Sequence, residues 1–215
     1  MNGGQRLGRE PMGFYQDQIV PLLINLAMRH RKVAEYRGRV VPGADGRVLE
    51  VGIGSGLNLP FYGPGVRHVI GLEPSAKLLE MAGRAADAQS RRVSFIKGSA
   101  ESIPLDRASV DTVVTTYTLC TIPDAPRALA EMRRVLRPGG RMLFSEHGRA
   151  PDDGVKRWQE RLNPVWKKIG GGCNLNRPMD ELISGAGFAL HSLETMYLPG
   201  PRPMTFTYWG AAERA

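Results

Sequence analysis

An apolar run, Arg47-Val48-Leu49-Glu50-Val51, stops abruptly at Gly52-Ile53-Gly54-Ser55-Gly56. Glycines at alternate positions permit a tight turn and let backbone approach a ligand closely. A short buried strand ending in such a loop points to an open α/β sheet whose ligand sits beyond the carboxyl ends of the strands. Glu50, two residues before the first glycine, narrows the choice of ligand. A carboxylate there repels a dinucleotide phosphate and suits a cationic group.

The rest of the chain alternates in the same way. Val66–Leu72 reads as a second strand, ending at Glu73. Ser75 opens a helix carrying Leu78, Leu79, Met81 and Ala82 at helical spacing. Residues 92–97 and 110–117 read as the third and fourth strands. Pro123-Asp124-Ala125-Pro126 starts a helix with Ala128, Leu129, Met132, Val135 and Leu136 on one face, and Pro138-Gly139-Gly140 stops it. Arg141–Ser145 is the fifth strand. A helix directly after the glycine loop is also expected, with free N–H groups suited to a carboxylate.

Alternating strands and helices predict a parallel, doubly wound α/β sheet. The last part differs: a helix over 179–186, then strands over 188–196 and 204–211 with only the turn Pro199-Gly200-Pro201 between them. A parallel pair needs a long crossover, so these two form an antiparallel hairpin. The expected architecture is therefore a seven-stranded, mostly parallel sheet with an antiparallel C-terminal hairpin. The turn cluster Pro42–Gly46 divides the chain into an N-terminal helical cap, 1–46, and a sheet domain, 47–215. The cap includes a helix from Phe14 to about Arg39.

Bulk properties limit the partners. The net charge is +8, but the basic residues fall in short clusters such as Arg133-Arg134 and Lys167-Lys168. These read as solvated faces, which disfavours a nucleic-acid groove. Two cysteines imply no disulfide framework and fit a reducing compartment. The longest apolar stretch, Ile19–Met28, is interrupted by Pro21 and Asn25 and falls short of the ~20 residues that span a bilayer. No transmembrane segment and no signal peptide are expected, and the expected location is cytoplasmic. Peripheral membrane contact stays open, as do a monomer and a homodimer. Two cysteines and scattered histidines give no metal site.

Glu73 lies about twenty residues beyond the glycine loop, a spacing that suits bidentate contact with ribose hydroxyls. Gly98-Ser99-Ala100-Glu101 follows the third strand. With Leu105–Asp111 and Glu131–Gly140, these motifs make residues 47–147 resemble the methyltransferase type 11 domain of class I S-adenosylmethionine (SAM)-dependent methyltransferases. The terminal hairpin agrees, since a plain dinucleotide-binding domain lacks it. The resemblance implies SAM as cofactor. It would be held by Tyr15, Glu50, Gly52, Gly54, Gly56, Asn58, Glu73, Pro74, Ser75, Ser99, Ala100, Glu101, Thr116, Tyr117 and Leu119. In that class Ser99-Ala100-Glu101 edges the adenine, and Glu50 holds the cofactor's ammonium group. Phe14 and Tyr15 would cap the cofactor.

Leu57–Tyr62, Leu119-Cys120, Glu146-His147 and Gly172–Arg177 are similar to the methyltransferase-like enzymes of animals that methylate alkyl thiols. That likeness implies a small, fairly apolar acceptor, with a thiol favoured. Quinone or phenol, phospholipid amine, and a SAM-binding protein peripheral to a membrane are the alternatives. Thr115–Leu119 stands where enzymes acting on exocyclic base amines carry (N/D)-P-P-(Y/F), so that chemistry is set aside. Among the histidines only His147 falls at a carboxyl strand end, which makes it the candidate catalytic residue. His30, His68 and His191 read as structural. Cys120 reads as a small hydrophobe near the methionine moiety, and Cys173 sits in a loop folding over the pocket. Trp158, Leu162 and Trp166 recur every fourth residue and read as one buried helix face.

Overall fold

The structure is a computed structural model that describes Met28 and residues 31–214. Its elements are α1 (Arg31–Val40), β1 (Gly46–Val51), β2 (Val66–Glu73), α2 (Ala76–Ala88), β3 (Val93–Lys97), β4 (Val110–Thr116), α3 (Ala125–Val135), β5 (Leu136–His147), α4 (Asp153–Ile169), α5 (Met179–Gly185), β6 (Phe188–Tyr197) and β7 (Phe206–Arg214). The seven strands form one sheet in the order β3-β2-β1-β4-β5-β7-β6. All neighbours up to β5 pair in parallel, and β7 runs antiparallel to both β5 and β6. The doubly wound sheet with its terminal hairpin is as expected.

Both faces of the central strands are buried, and the alternation of side chains explains how. Leu49, Val51, Ile70, Leu72, Val113, Met142 and Phe144 join one core with Ala128, Leu129, Met132 and Val135 of α3. The intervening residues Val48, Val69, Val114 and Leu143 join a second core with Tyr36 and Val40 of α1 and Ala86 of α2. A sheet covered on both sides needs such continuous apolar runs. Local signals set the helix starts. The Ser75 side chain accepts from the Leu78 N–H, and that of Asp124 from the Arg127 N–H.

The chain leaves β1 to build β2 and β3 on one side, then crosses to place β4 on the other side of β1. At such a switch point the connections on either side diverge and open a crevice at the carboxyl ends. Gly52, Gly54, Glu50, Glu73 and Ser99 open into it.

Four local expectations are corrected. No α-helix follows the glycine loop; one 3-10 turn, Leu59–Phe61, stands there. Pro60, Gly63, Pro64 and Gly65 leave too short a run to sustain a helix. The α3 helix ends at Val135, before the proline and glycines. Leu136 adopts extended backbone and already pairs with Val110, so β5 begins there instead of at Arg141. The last strand runs over Phe206–Arg214, because Met204 belongs to a preceding 3-10 turn. In α4 the tryptophan stripe is not a buried face: Trp158 is 55% exposed, and Gln159 is the buried residue. The expected N-terminal helix is described only from Arg31 onward. Phe14, Tyr15 and His30 lie outside the described residues. Among the described residues no helix is long and apolar enough to cross a membrane.

The α1 helix matters to the site because it packs on the sheet. The Tyr36 and Trp209 rings lie 4.9 Å apart between centroids, and both are nearly buried. Replacing a buried aromatic by alanine removes apolar contact and leaves a cavity. Trp209→Ala is expected to cost about 3–5 kcal/mol in urea unfolding; a cost under about 1 kcal/mol would contradict this packing of α1.

Candidate active site

Two cavities meet at the switch point. The first, about 350 Å³, lies over the ends of β1, β2 and β4 and takes in Glu50, Gly52, Gly54, Asn58, Glu73, Pro74, Ser99, Ala100, Thr116 and Tyr117. Sequence reasoning named all of these. Gly56, Ser75, Glu101 and Leu119, also named, do not line it. Gly56 turns the loop with φ of +80°. Ser75 caps α2 and donates its N–H to Glu73. The Glu101 carboxylate accepts from the Asp124 N–H in the neighbouring loop. Leu119 is buried in the core.

The glycine loop is shaped by its surroundings. A Cβ on Gly52, at φ +71°, would lie 2.3 Å from Thr118 Oγ1, so no other residue fits without displacing the loop after β4. The Gly54 N–H donates to one oxygen of Glu73 at 3.2 Å, and the Ser75 N–H to the other at 3.0 Å. These bonds fix the Glu73 carboxylate at the cavity wall with lone pairs to spare for a diol. Burial pushes its pKa up, and the two N–H groups oppose that shift.

Glu50 is almost fully buried. It accepts from Asn58 Nδ2 at 2.9 Å and from the Tyr62 hydroxyl at 2.7 Å. Burial raises its pKa to about 7, against the pull of Tyr62, Asn58 and the Arg37 cation. Asn58 Nδ2 also reaches Thr116 Oγ1 at 3.0 Å, while Asn58 Oδ1 is buried without a hydrogen-bond partner.

Arg37 is a cavity residue that sequence reasoning did not find. It lies on α1, is 5% exposed, donates from Nη1 to the Met28 carbonyl at 2.7 Å, and leaves Nε buried without a partner among the described residues. A buried guanidinium with a spare donor beside an unpaired amide oxygen and a carboxylate is a donor set for a zwitterion. The cation answers a carboxylate, and Asn58 Oδ1 with Glu50 answers an ammonium. With Glu73 placed for ribose, the residues fit the SAM that the fold implies.

The second cavity, about 600 Å³, opens beside the first. Met28, Tyr117 and Thr121 line both. Its other walls include Val33, Trp166, Ile169, Leu198, Pro199 and Met204, with Cys120, His147 and Cys173 among them. Tyr117, at the junction, holds a left-handed conformation with φ of +54°, which is unusual for a bulky residue. Its N–H is fixed to the Ser145 carbonyl at 2.8 Å. His147 is 7% exposed; Nδ1 lies 3.5 Å from Cys173 Sγ, and Nε2 is buried without a partner among the described residues. His68 and His191 are away from both cavities, the first half-buried beside Ser94 and the second exposed beside Glu213.

The wall shared by the cavities is the loop after β4, and Glu146 at the end of β5 organises it. This carboxylate has no exposure. It accepts from Thr115 Oγ1 at 2.7 Å, the Thr118 N–H at 3.1 Å and the Cys120 N–H at 3.3 Å, with the Leu119 N–H as a further donor. Burial raises its pKa to about 7, and those donors limit the rise. From the far side, Asn174 binds the Cys120 carbonyl through its N–H at 2.8 Å and its side-chain amide at 2.9 Å, and Arg177 donates to the Leu119 carbonyl. Among the described residues no cluster of His, Cys, Asp and Glu is arranged to hold a metal.

Residues 49–144 match the family model of a methyltransferase domain. The chain is 36% identical over 159 residues to thiol S-methyltransferase TMT1B of Homo sapiens, covering 71% of this chain and 64% of that protein. It is 34% identical over 157 residues to thiol S-methyltransferase TMT1A of Homo sapiens, again covering 71% and 64%. The chain thus spans just under two thirds of these relatives. In three dimensions it resembles a solved SAM-dependent methyltransferase of Thermotoga maritima, titled a possible histamine N-methyltransferase. The TM-score is 0.64 at 22% identity, covering 93% of this chain and all of that one.

Glu146→Gln sets amide donors against the N–H groups that the carboxylate now accepts. A loss of about 3 kcal/mol in urea unfolding is expected; a loss below about 1 kcal/mol would contradict the role given to Glu146.

Proposed function

The chain carries, at residues 49–144, a domain of the methyltransferase family, and on that premise we propose that it transfers a methyl group from SAM to a small, apolar thiol. The observation that carries the acceptor reading is the second cavity. It is mostly apolar, it adjoins the first, and His147 stands in its wall. The names of the two human relatives support the same acceptor class.

The chain's part in binding follows from its charges. Arg37 answers the amino-acid carboxylate, Asn58 and Glu50 the ammonium, Glu73 the ribose hydroxyls, and Ser99 with Ala100 the adenine edge. Bound there, SAM supplies a methyl group on a positively charged sulfur with a good leaving group. The enzyme's remaining task is to hold the acceptor in line and keep water out.

His147 is the group placed to take the acceptor's proton. Its Nδ1 faces Cys173 Sγ. With the ring proton held on Nδ1 by that sulfur, Nε2 carries the lone pair that accepts a proton. The acceptor S–H donates to Nε2 and becomes a thiolate within walls made by Trp166, Leu198 and Met204. A thiolate there is poorly solvated, which raises its reactivity toward a cationic centre. Tyr117 and Thr121 line both cavities and stand on either side of the path between the two substrates.

The experiment is a methylation assay with alkyl thiols, a quinol and phosphatidylethanolamine. Alkyl thiols are expected to turn over; turnover of another class with every thiol inert would overturn the thiol assignment. His147→Gln is expected to lower kcat with an alkanethiol by about 10²-fold or more, and far less with an acidic aryl thiol that ionises unaided. Equal losses with both would contradict its role as base. The Glu50 carboxyl, raised to about 7, is ionised only above that pH. Because the anion binds the ammonium, affinity for S-adenosylhomocysteine is expected to rise about tenfold from pH 6 to pH 8. Glu50→Gln should bind more weakly with a flat profile in calorimetry; an unchanged slope would contradict the assignment.

A further inference from the structure

We propose that Cys120 and Cys173 form a thiol–disulfide exchange site in the second cavity, which takes small apolar disulfides and reduces them to thiols. This activity is separate from methyl transfer and needs no cofactor. Only its location is shared with the acceptor reading given above.

Both cysteines are free and both line the cavity. They come from distant parts of the chain, the loop after β4 and the loop after α4. The Asn174 N–H bonded to the Cys120 carbonyl at 2.8 Å holds the two loops together. Each of the two thiols is the largest influence on the titration of the other.

Their surroundings differ in the way an attacking and a resolving thiol must differ. Cys173 is partly exposed to the cavity. The Cys120 thiol, then His147 at 3.5 Å, holds it well below the ordinary thiol range, although burial opposes this. Cys120 is 2% exposed and is pushed well above that range, first by its bond to Cys173 and then by burial. The thiolate is the nucleophile in exchange, so Cys173 attacks and Cys120 follows. The Arg177 cation acts on both sulfurs and stabilises negative charge there. No step of methyl transfer uses the Cys120 thiol.

The chemistry balances without another reagent. The Cys173 thiol passes its proton to His147 and, as the thiolate, attacks one sulfur of R–S–S–R; a mixed disulfide forms and the expelled RS⁻ takes that proton from His147. The Cys120 thiol then attacks Cys173 Sγ and gives its proton to the second departing RS⁻. The Cys173–S–R bond breaks, the second RS⁻ leaves, and a Cys120–Cys173 disulfide remains. Two electrons pass from the cysteines to the substrate, and the two protons end on the released thiols. A small dithiol returns the pair to its starting state by the reverse exchange. The apolar walls at Ile169, Leu198 and Met204 select alkyl substituents.

The test uses the reduced full-length chain and diethyl disulfide. Intact mass and peptide mapping should show loss of two hydrogens, a Cys120–Cys173 crosslink and release of ethanethiol, all reversed by dithiothreitol. This readout needs no substitution. Cys120→Ala should stop at an ethylthio adduct on Cys173. Cys173→Ala should react at least about tenfold more slowly at Cys120. A wild-type chain that keeps both thiols free, or a Cys173→Ala variant that reacts as fast as wild type, overturns the proposal. Methylation of thiols is measured separately. Exchange without methylation sinks only the proposed function, and methylation with inert cysteines sinks only this inference.

Discussion

The architecture of the site depends on one buried carboxylate. Glu146 closes β5 without any exposure and gathers Thr115 and the N–H groups of the loop after β4. Four donors around one anion fix a loop that would otherwise leave buried N–H groups unpaired. That loop is the wall between the two cavities. It carries Thr118 against Gly52, Tyr117 at the junction and Cys120 in the second cavity. A one-residue shift there would move cofactor loop and acceptor wall together.

The sheet does the coarse positioning. The reversal of strand order beside β1 opens the crevice, and paired cores on the two faces hold the strands against their helices. Within this frame the division of labour follows charge. Arg37, Glu50, Asn58 and Glu73 give the first cavity charged and polar walls that suit a zwitterion, while the second cavity offers aliphatic and aromatic walls with one histidine and two cysteines. The polar groups lie where a fixed, charged molecule is to be held. The apolar space adjoins it, where a desolvated nucleophile gains most.

The features legible in the sequence were those carried by local pattern. Gly52 and Gly54, Glu50, Glu73 and Ser99-Ala100 each sit in a short local motif, and all of them line the first cavity. Alternating apolar segments gave the sheet and its terminal hairpin. The features that escaped depend on distant parts of the chain meeting. Arg37 belongs to a helix before the domain proper, and the packing of Tyr36 and Val40 on the sheet brings it to the crevice. Cys120 and Cys173 lie 53 positions apart in the chain and meet where Asn174 binds the Cys120 carbonyl. Trp158 fits a helical stripe by spacing, yet the buried face of α4 is set by Gln159, which binds the Gly148 carbonyl and the Ala150 N–H. Spacing reports which residues share a face and is silent about which face is covered.

The central claim, that the two cavities hold SAM and a thiol side by side, is tested most directly by a crystal structure with S-adenosylhomocysteine and an alkanethiol. The account predicts the homocysteine end between Arg37 and Glu50, and the thiol sulfur within hydrogen-bond reach of His147 Nε2, facing the cofactor sulfur past Tyr117. A thiol seated outside the second cavity, or a homocysteine end turned away from Arg37 and Glu50, would contradict it.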